Sequence, residues 1–448
     1  MVSVRLLFFV LVIGCLAAGA QDYALRGTLI APGGIVENGT VLVQGGKIAG
    51  IGAQVQIPRN VTVIDTHAII APGLIDLHNH LTWNVFPRWH PTEEFGSRYD
   101  WQQKPVYQTL IESPHAAMLR DGMECAMERY AEVKALSEGE TSVVGSENAP
   151  CSAGLARNLD TEETYRVAYN VFPLQIPEGE LAGLRTRLAS RDLHALLIHL
   201  AEGSPHNASS AREFTMLRAR GLLVPGVALI HGVALTPENF KEMAAQGVAF
   251  IWSPRSNLEL YGDTANVAAA KAAGVRIALA PDWSPTGSDG LLAELNYAAA
   301  WADTQTPRPF TDRELVAIAT SVAAEIVGQQ ERLGSLEIGQ DADLLVLSPD
   351  PAAANHDAYW SLTHADASQV ALVTVAGAPL YGDPALLKQL APHSELLAVC
   401  GVKKALVLSG AHGRADAADV TWADTTAALD RALRHHGRML APLAECGQ

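Results

Sequence analysis

The sequence predicts an α/β architecture, a (β/α)8 TIM-like barrel carrying a small β-sandwich formed by the N- and C-terminal segments. Three observations predict it. From Pro72 onward, apolar strand-like runs alternate with helical stretches, which implies a parallel sheet with crossover helices. The alternation persists for roughly 250 residues, enough for one barrel of eight β/α units. On both sides of it the chain switches to short β segments punctuated by glycine.

Residues 1–20 read as a targeting segment. Arg5 supplies the positive charge, 6–13 is an unbroken apolar run, and 14–20 are mostly small residues. Ala18, Gly19 and Ala20 fit the cleavage site of a secretory signal, with a mature start at Gln21. In the rival reading, Val12, Ile13, Gly14 and Cys15 resemble a bacterial lipobox, and Cys15 becomes a lipid anchor. Both readings place the protein outside the cytoplasm, periplasmic or secreted, in an oxidising compartment.

Residues 21–72 carry strand-like runs at 23–30, 39–44, 47–51 and 61–64, with glycine pairs at 33–34 and 45–46. They form the N-terminal part of the sandwich. Residues 73–325 form the barrel, with strand candidates at 141–145, 196–200, 227–230, 248–252 and 277–280. Helical stretches at 116–137 and 237–246 lie between them, and strands three and four share 157–159 and 166–172. Thr311 and Glu314 have capping-box spacing and open a helix running to about Val327. Residues 326–385 return to the sandwich through 334–347 and 370–375. The extension, 386–448, is mostly helical in pattern, and its His435 and His436 read as a solvated helix face.

Composition narrows the function classes. The 448 residues carry 32 Lys+Arg against 48 Asp+Glu, a net charge of −16, which argues against a binder of nucleic-acid phosphates. With 48% hydrophobic and 18% charged residues the chain is globular rather than disordered. Its one long apolar run is the leader, which excludes a polytopic membrane protein. Past the leader, Cys125, Cys151, Cys400 and Cys446 show no metal-binding spacing. Cys400 and Cys446 bracket the tail and can staple it, whereas Cys125 and Cys151 either pair or stay as buried thiols. A sheet edge or the tail offers a route to a homodimer, with no decisive patch.

The chemistry sits at the ends of the strand candidates. Asp76, Leu77, His78, Asn79 and His80 close the first barrel strand. Residues i and i+2 of a strand share a face, so His78 and His80 point the same way, about 6–7 Å apart along the strand. His199, His231 and Asp282 end three later candidates, separated by 32 and 51 residues, one and two β/α units. A single histidine ending an apolar run is usually core filler. Four histidines and an aspartate at the catalytic end of a barrel point to a metal site. Glu202, three residues after His199, falls in the following loop, where a carboxylate can protonate a nitrogen. The loop after His80 is rich in aromatics: Trp83, Phe86, Trp89, Tyr99 and Trp101 either stack a planar substrate or pack as a lid. Arg157 and Arg255 are candidate partners for a substrate carboxylate, and His90 is a weak candidate fifth ligand.

These motifs resemble the amidohydrolase superfamily, in its cytosine deaminase, chlorohydrolase and imidazolonepropionase branch. The resemblance spans residues 22–385. It rests on the run from Ala71 to His80, the His199 to Glu202 segment, His231, the Ser253 to Leu258 segment, Pro281 with Asp282, and the run from Gly334 to Leu344. It implies that His78, His80, His199 and Asp282 hold one divalent metal ion. It further implies that His231 hydrogen-bonds the activated water or the developing oxyanion, that Asp282 accepts the water's proton, and that Glu202 carries it to nitrogen. Zinc suits this donor set, and iron or manganese are alternatives. Binuclear relatives commonly bridge two metals with a modified lysine on the fourth strand. No lysine occurs between Lys134 and Lys241, which favours a single metal.

The resemblance therefore implies a metal-dependent hydrolase of a non-peptide C–N bond in a small molecule, by deamination of a heterocycle or opening of a cyclic amide. An exported dipeptidase or N-acyl amino acid amidase is the alternative enzyme. A secreted, non-catalytic metal-binding protein is the alternative outside enzymes.

Overall fold

A computed structural model describes residues 22–146, 151, 154–351, 354–408 and 420–446. The expected leader, with Cys15, lies outside the described residues.

Strands β1 (Tyr23–Ala31), β2 (Gly34–Gln44), β3 (Lys47–Gly52) and β4 (Thr62–Pro72) open an outer sheet. Eight short parallel strands follow: β5 (Leu74–Ile75), β6 (Glu140–Val143), β7 (Arg157–Asn158), β8 (Val167–Asn170), β9 (Ala195–Leu200), β10 (Val227–His231), β11 (Ala249–Trp252) and β12 (Ile277–Leu279). The chain then returns to the outer sheet through β13 (Leu344–Leu347), β14 (Val370–Val375), β15 (Ala378–Gly382), β16 (Glu395–Val399) and β17 (Val402–Leu406). The outer sheet runs β16-β17-β15-β14-β13-β4-β1-β2-β3, and the two chain ends meet where β13 pairs antiparallel with β4.

The eight parallel strands lie in chain order in two arcs, β5-β6-β7 and β8 through β12. The arcs meet at a parallel bridge between Asn79 and Asp282, where Asp282 N–H donates to His78 O at 3.1 Å. Alternation fills the barrel: Ala195, Leu197, Ala228, Ile230, Ala249, Ile251, Ala278 and Ala280 pack inward with Ile75 and Leu77. Their neighbours Leu196, Ile198, Leu229, Phe250 and Trp252 pack outward in the larger core with the surrounding helices.

Three expectations are corrected. The helical stretch at 116–137 is two helices, Ser113–Arg120 and Glu124–Ser137, parted at Gly122 with φ +71°. The Thr311–Glu314 capping box forms, but its helix ends at Ile318 and a second one runs over Ser321–Ile326. The extension is only partly helical, because the hairpin β16–β17 adds two strands to the edge of the outer sheet. Cys400 and Gly401 form its two-residue turn with φ +51° and +73°, the positive values that match the strand twist. Cys400 is bonded to Cys446, and Cys125 to Cys151. In the final helix His435 is exposed, and His436 Nε2 meets Asp121 Oδ2 at 2.7 Å, so the pair ligates nothing together.

Arg157 lies in the seam between barrel and outer sheet, fully buried. It pairs with Asp341 at 3.0 Å and also with Asp343. It is a structural cation, not a substrate partner. Removing one partner of a buried ionic group strands the others, so Arg157→Ala is expected to lower unfolding free energy by about 3–5 kcal/mol. Denaturant titration checks this, and a loss within error of zero would show the seam to be dispensable. Burial, with Asp289 adding to it, pushes the Glu138 carboxyl from 4.5 up to about 8. A raised folded-state pKa stabilises most below the unfolded value, and that contribution is lost as pH rises to about 8. Melting temperature should therefore fall between pH 5 and 8, and fall less in Glu138→Gln.

Candidate active site

The first barrel strand ends at Ile75, and a turn made by its own side chains follows. Asp76 Oδ1 accepts His78 N–H at 2.9 Å and Asp76 Oδ2 accepts Asn79 Nδ2 at 2.6 Å. Asn79 Oδ1 then accepts His80 N–H at 2.8 Å. Because Ile75 and Leu77 both face the barrel interior, plain alternation would turn His78 outward. The Asx turn places both imidazoles in the site, their ring centroids 5.2 Å apart. Gly145 gives this turn room, since a Cβ there would lie 1.9 Å from Asn79 O and its φ is +116°.

The later strands deliver their groups in two ways. His199 continues the inward series of Ala195 and Leu197. His231 is out of phase with Ala228 and Ile230, and a left-handed backbone, φ +68°, coincides with its turn into the site. Asp282 also takes a left-handed backbone, φ +71°. Such positions in non-glycine residues are strained and concentrate at functional sites. Glu202 falls after β9, past Ala201 with φ +51°, in the loop where it was expected.

The structure brings together His78, His80, His199, Glu202, His231 and Asp282. Ligand-type atoms of His78, His80 and His199 lie within 4.8 Å of one another, as do those of His78, His231 and Asp282, and those of His199, Glu202 and His231. Asp282 Oδ1 is 3.0 Å from His78 Nε2 and 3.5 Å from His80 Nε2. Burial pushes the His78 and His199 imidazoles well below their usual range, and His80 down to about 3. Neutral imidazoles are the ligand form. Burial also raises the Asp282 carboxyl, opposed by His231 and His80.

These residues fit a divalent cation. His78 Nε2 and Asp282 Oδ1 offer lone pairs 3.0 Å apart, and that buried Nε2 makes no hydrogen bond. Buried lone pairs converging without a donor between them are costly unless a cation sits among them.

A layer of side chains that the sequence did not single out holds the reactive groups. Ser256 Oγ donates to Asp282 Oδ2 at 2.5 Å. Asn257 Oδ1 meets His231 Nδ1 at 3.0 Å, and Asn257 Nδ2 donates to Thr264 Oγ1 at 3.3 Å, which fixes the amide so that His231 donates from Nδ1. Tyr261 O–H donates to Glu202 Oε1 at 2.7 Å, and Arg98 faces Glu202 Oε2 at 3.5 Å. Tyr169, on the fourth strand β8, brings its hydroxyl to 3.3 Å from His78 Nδ1 and 3.4 Å from His80 Nε2. Ser256 and Asn257 belong to a segment marked by motif, and Tyr169 lies on an expected strand. Arg98 carries no local signal.

The groups floor a cavity of about 470 Å³ walled by Trp83, Trp101, Tyr107, Phe172 and Trp283. Gln102, Gln103, Gln108 and Glu112 also line it. The aromatic loop therefore divides: Trp83 and Trp101 reach the cavity, whereas Phe86 and Trp89 pack in the core. His90 is exposed and belongs to none of the ligand groups among the described residues. Arg255 is paired with Glu445 at 2.9 Å rather than lining the cavity, and the cavity's guanidinium is Arg98.

The Amidohydrolase family model matches residues 69–379. A 5-methylthioadenosine/S-adenosylhomocysteine deaminase from Teredinibacter turnerae is 25% identical over 73% of this chain and 84% of its own length. An imidazolonepropionase from Shouchella clausii is 24% identical over 73% of this chain and 83% of its own. A crystal structure of an adenosine deaminase from Xanthomonas campestris with bound zinc is similar at TM-score 0.69 and 17% identity, covering 93% of this chain and 99% of that one.

Elemental analysis is expected to find about one divalent ion per wild-type chain, as this donor set suggests, and almost none in His78→Ala/His80→Ala. Equal metal in both proteins would place the ion elsewhere.

Proposed function

We propose that this chain, which belongs to the amidohydrolase family, is an exported deaminase of an amino-substituted, purine-like heterocycle. At the coarser level it is a metal-dependent hydrolase acting on a C–N bond of a small molecule. The observation that carries the finer reading is the position of Glu202. Its carboxylate lies beside His199 and His231 and lines the same cavity as Trp83, Trp101 and Trp283, within reach of a nitrogen of a planar ring bound there.

In this reading His78, His80, His199 and Asp282 hold one ion, zinc by preference. The tyrosine on the fourth strand, where binuclear relatives carry a bridging lysine, supports a single ion. Held there, the ion would supply Lewis-acid activation of a water molecule near neutral pH. Asp282 Oδ1 takes the water's proton, while Ser256 holds Oδ2 and keeps the carboxylate turned toward the cluster. His231 faces the reacting carbon and steadies the charge that develops on oxygen, its ring oriented by Asn257. Glu202, held by Tyr261, delivers one of the water's protons to the ring nitrogen, and Asp282 passes the other to the amino group, which departs as ammonia. Water adds to carbon, the C–N bond breaks, and the protons gained by nitrogen come from that water.

The similarity to a methylthioadenosine deaminase supports a purine-like ring, and the polar lining supplied by Glu112 and three glutamines suits a polyhydroxylated substituent. The similarity to an imidazolonepropionase supports cyclic amide opening as the second reading. The leader-like residues 1–20 and two disulfides support export.

Ammonia release from aminated purines and their nucleosides, by the zinc-loaded enzyme, tests the reading. Glu202→Gln is expected to lower kcat by about 10²–10⁴-fold with metal content unchanged. Opening of cyclic amides without ammonia release from any amino heterocycle would replace it with the second reading.

A further inference from the structure

We propose that Glu445, in the C-terminal extension beyond the family match, is a positioning residue for catalysis. It acts by clamping the helix that orients three reactive groups, so the inference rests on the roles given above to Glu202, His231 and Asp282.

The helix Pro254–Tyr261 is the common support of the site. From its first two turns, Ser256 holds Asp282 and Asn257 holds His231; from its end, Tyr261 holds Glu202. A shift of this one element displaces all three groups together.

Two buried guanidiniums fasten the helix. Arg255 is its second residue, and its N–H donates to Glu294 Oε1 at 3.1 Å. Arg88, from the loop after the first barrel strand, pairs with Glu259 of the same helix at 2.5 Å. Arg88 also donates to Thr286 O at 3.3 Å and to Gly287 O, in the loop that follows Asp282. Thr286 Oγ1 in turn lies 3.0 Å from Ser256 Oγ. Glu445 stands between the two cations, with Oε2 at 2.9 Å from Arg255 Nη2 and Oε1 at 3.5 Å from Arg88 Nε. The side chains of Arg88 and Arg255 are only 5% and 9% exposed, so water screens this contact poorly.

The extension is fixed where it delivers this carboxylate. Cys446, the next residue, is bonded to Cys400 in the turn of the outer-sheet hairpin. Ala441 N–H donates to Val85 O at 2.9 Å, and Lys134 Nζ donates to Pro442 O at 2.9 Å. A carboxylate anchored from both sides joins three segments of the barrel mouth, which is how a distant group preorganises reacting atoms.

Glu445→Ala, Glu445→Gln and Glu445→Asp test the proposal, read by steady-state kinetics, zinc content, melting temperature and hydrogen exchange. Ala and Gln are expected to lower kcat by roughly 10–100-fold, with KM and zinc content near wild type and partial recovery in Asp. Amide exchange should quicken in peptides covering 254–261 and 283–290. Lower melting temperature with kcat unchanged, or quickened exchange confined to 395–446, would overturn the proposal. If the wild type deaminates no amino heterocycle, the substrate reading fails, and exchange at 254–261 still decides the role of Glu445.

Discussion

The contact between Asp282 and the segment that carries His78 joins the two arcs of barrel strands and gathers the candidate site at one point. Backbone N–H of Asp282 donates to His78 O, and its carboxylate lies 3.0 Å from His78 Nε2. The last strand of the barrel thus meets the first through residues of the candidate metal-binding cluster. Their spacing is set by a hydrogen-bonded bridge, not by flexible loops. A site carried on strand ends inherits the precision of the sheet.

That junction imposes an electrostatic constraint. Four imidazoles and two carboxylates converge in a buried space, and burial drives His78, His80 and His199 toward neutrality. Neutral imidazoles and a carboxylate form a donor set suited to a cation. The surrounding layer orients each of these groups. Asn257 occupies one side of His231, Ser256 one oxygen of Asp282, and Tyr261 one oxygen of Glu202. A single short helix supplies all three, so the geometry of the site is as rigid as the packing of that helix.

The outer sheet serves the barrel by covering it. Arg157 in β7 reaches into the sheet to two aspartates next to β13, and β13 itself pairs with the strand leading into the turn that carries His78 and His80. The extension adds a hairpin to the sheet edge and then crosses back to the barrel mouth, held by a disulfide. The C-terminal extension therefore reaches the barrel mouth, while both chain ends share the outer sheet.

Much of this was legible in the sequence, for identifiable reasons. Strand candidates at 196–200, 227–230 and 248–252 are apolar, bounded by turns and close to the strands that form, because a parallel strand buried on both faces must be apolar throughout. The groups at their ends stood out as polar residues where apolar ones were expected. The helix break at Gly122 and the hairpin at 395–406 were not legible, since short β segments and helix ends depend on the neighbours that cover them. The sequence by itself determined which residues can ligate and that they end strands. Only the tertiary structure decided that His78 and His231 enter the site against strand alternation, through an Asx turn and a left-handed backbone. It likewise decided that Arg157 and Arg255 serve buried carboxylates while Arg98 faces the cavity. An arginine's role follows from the carboxylate folding brings to it, and these partners lie 184 and 190 residues away.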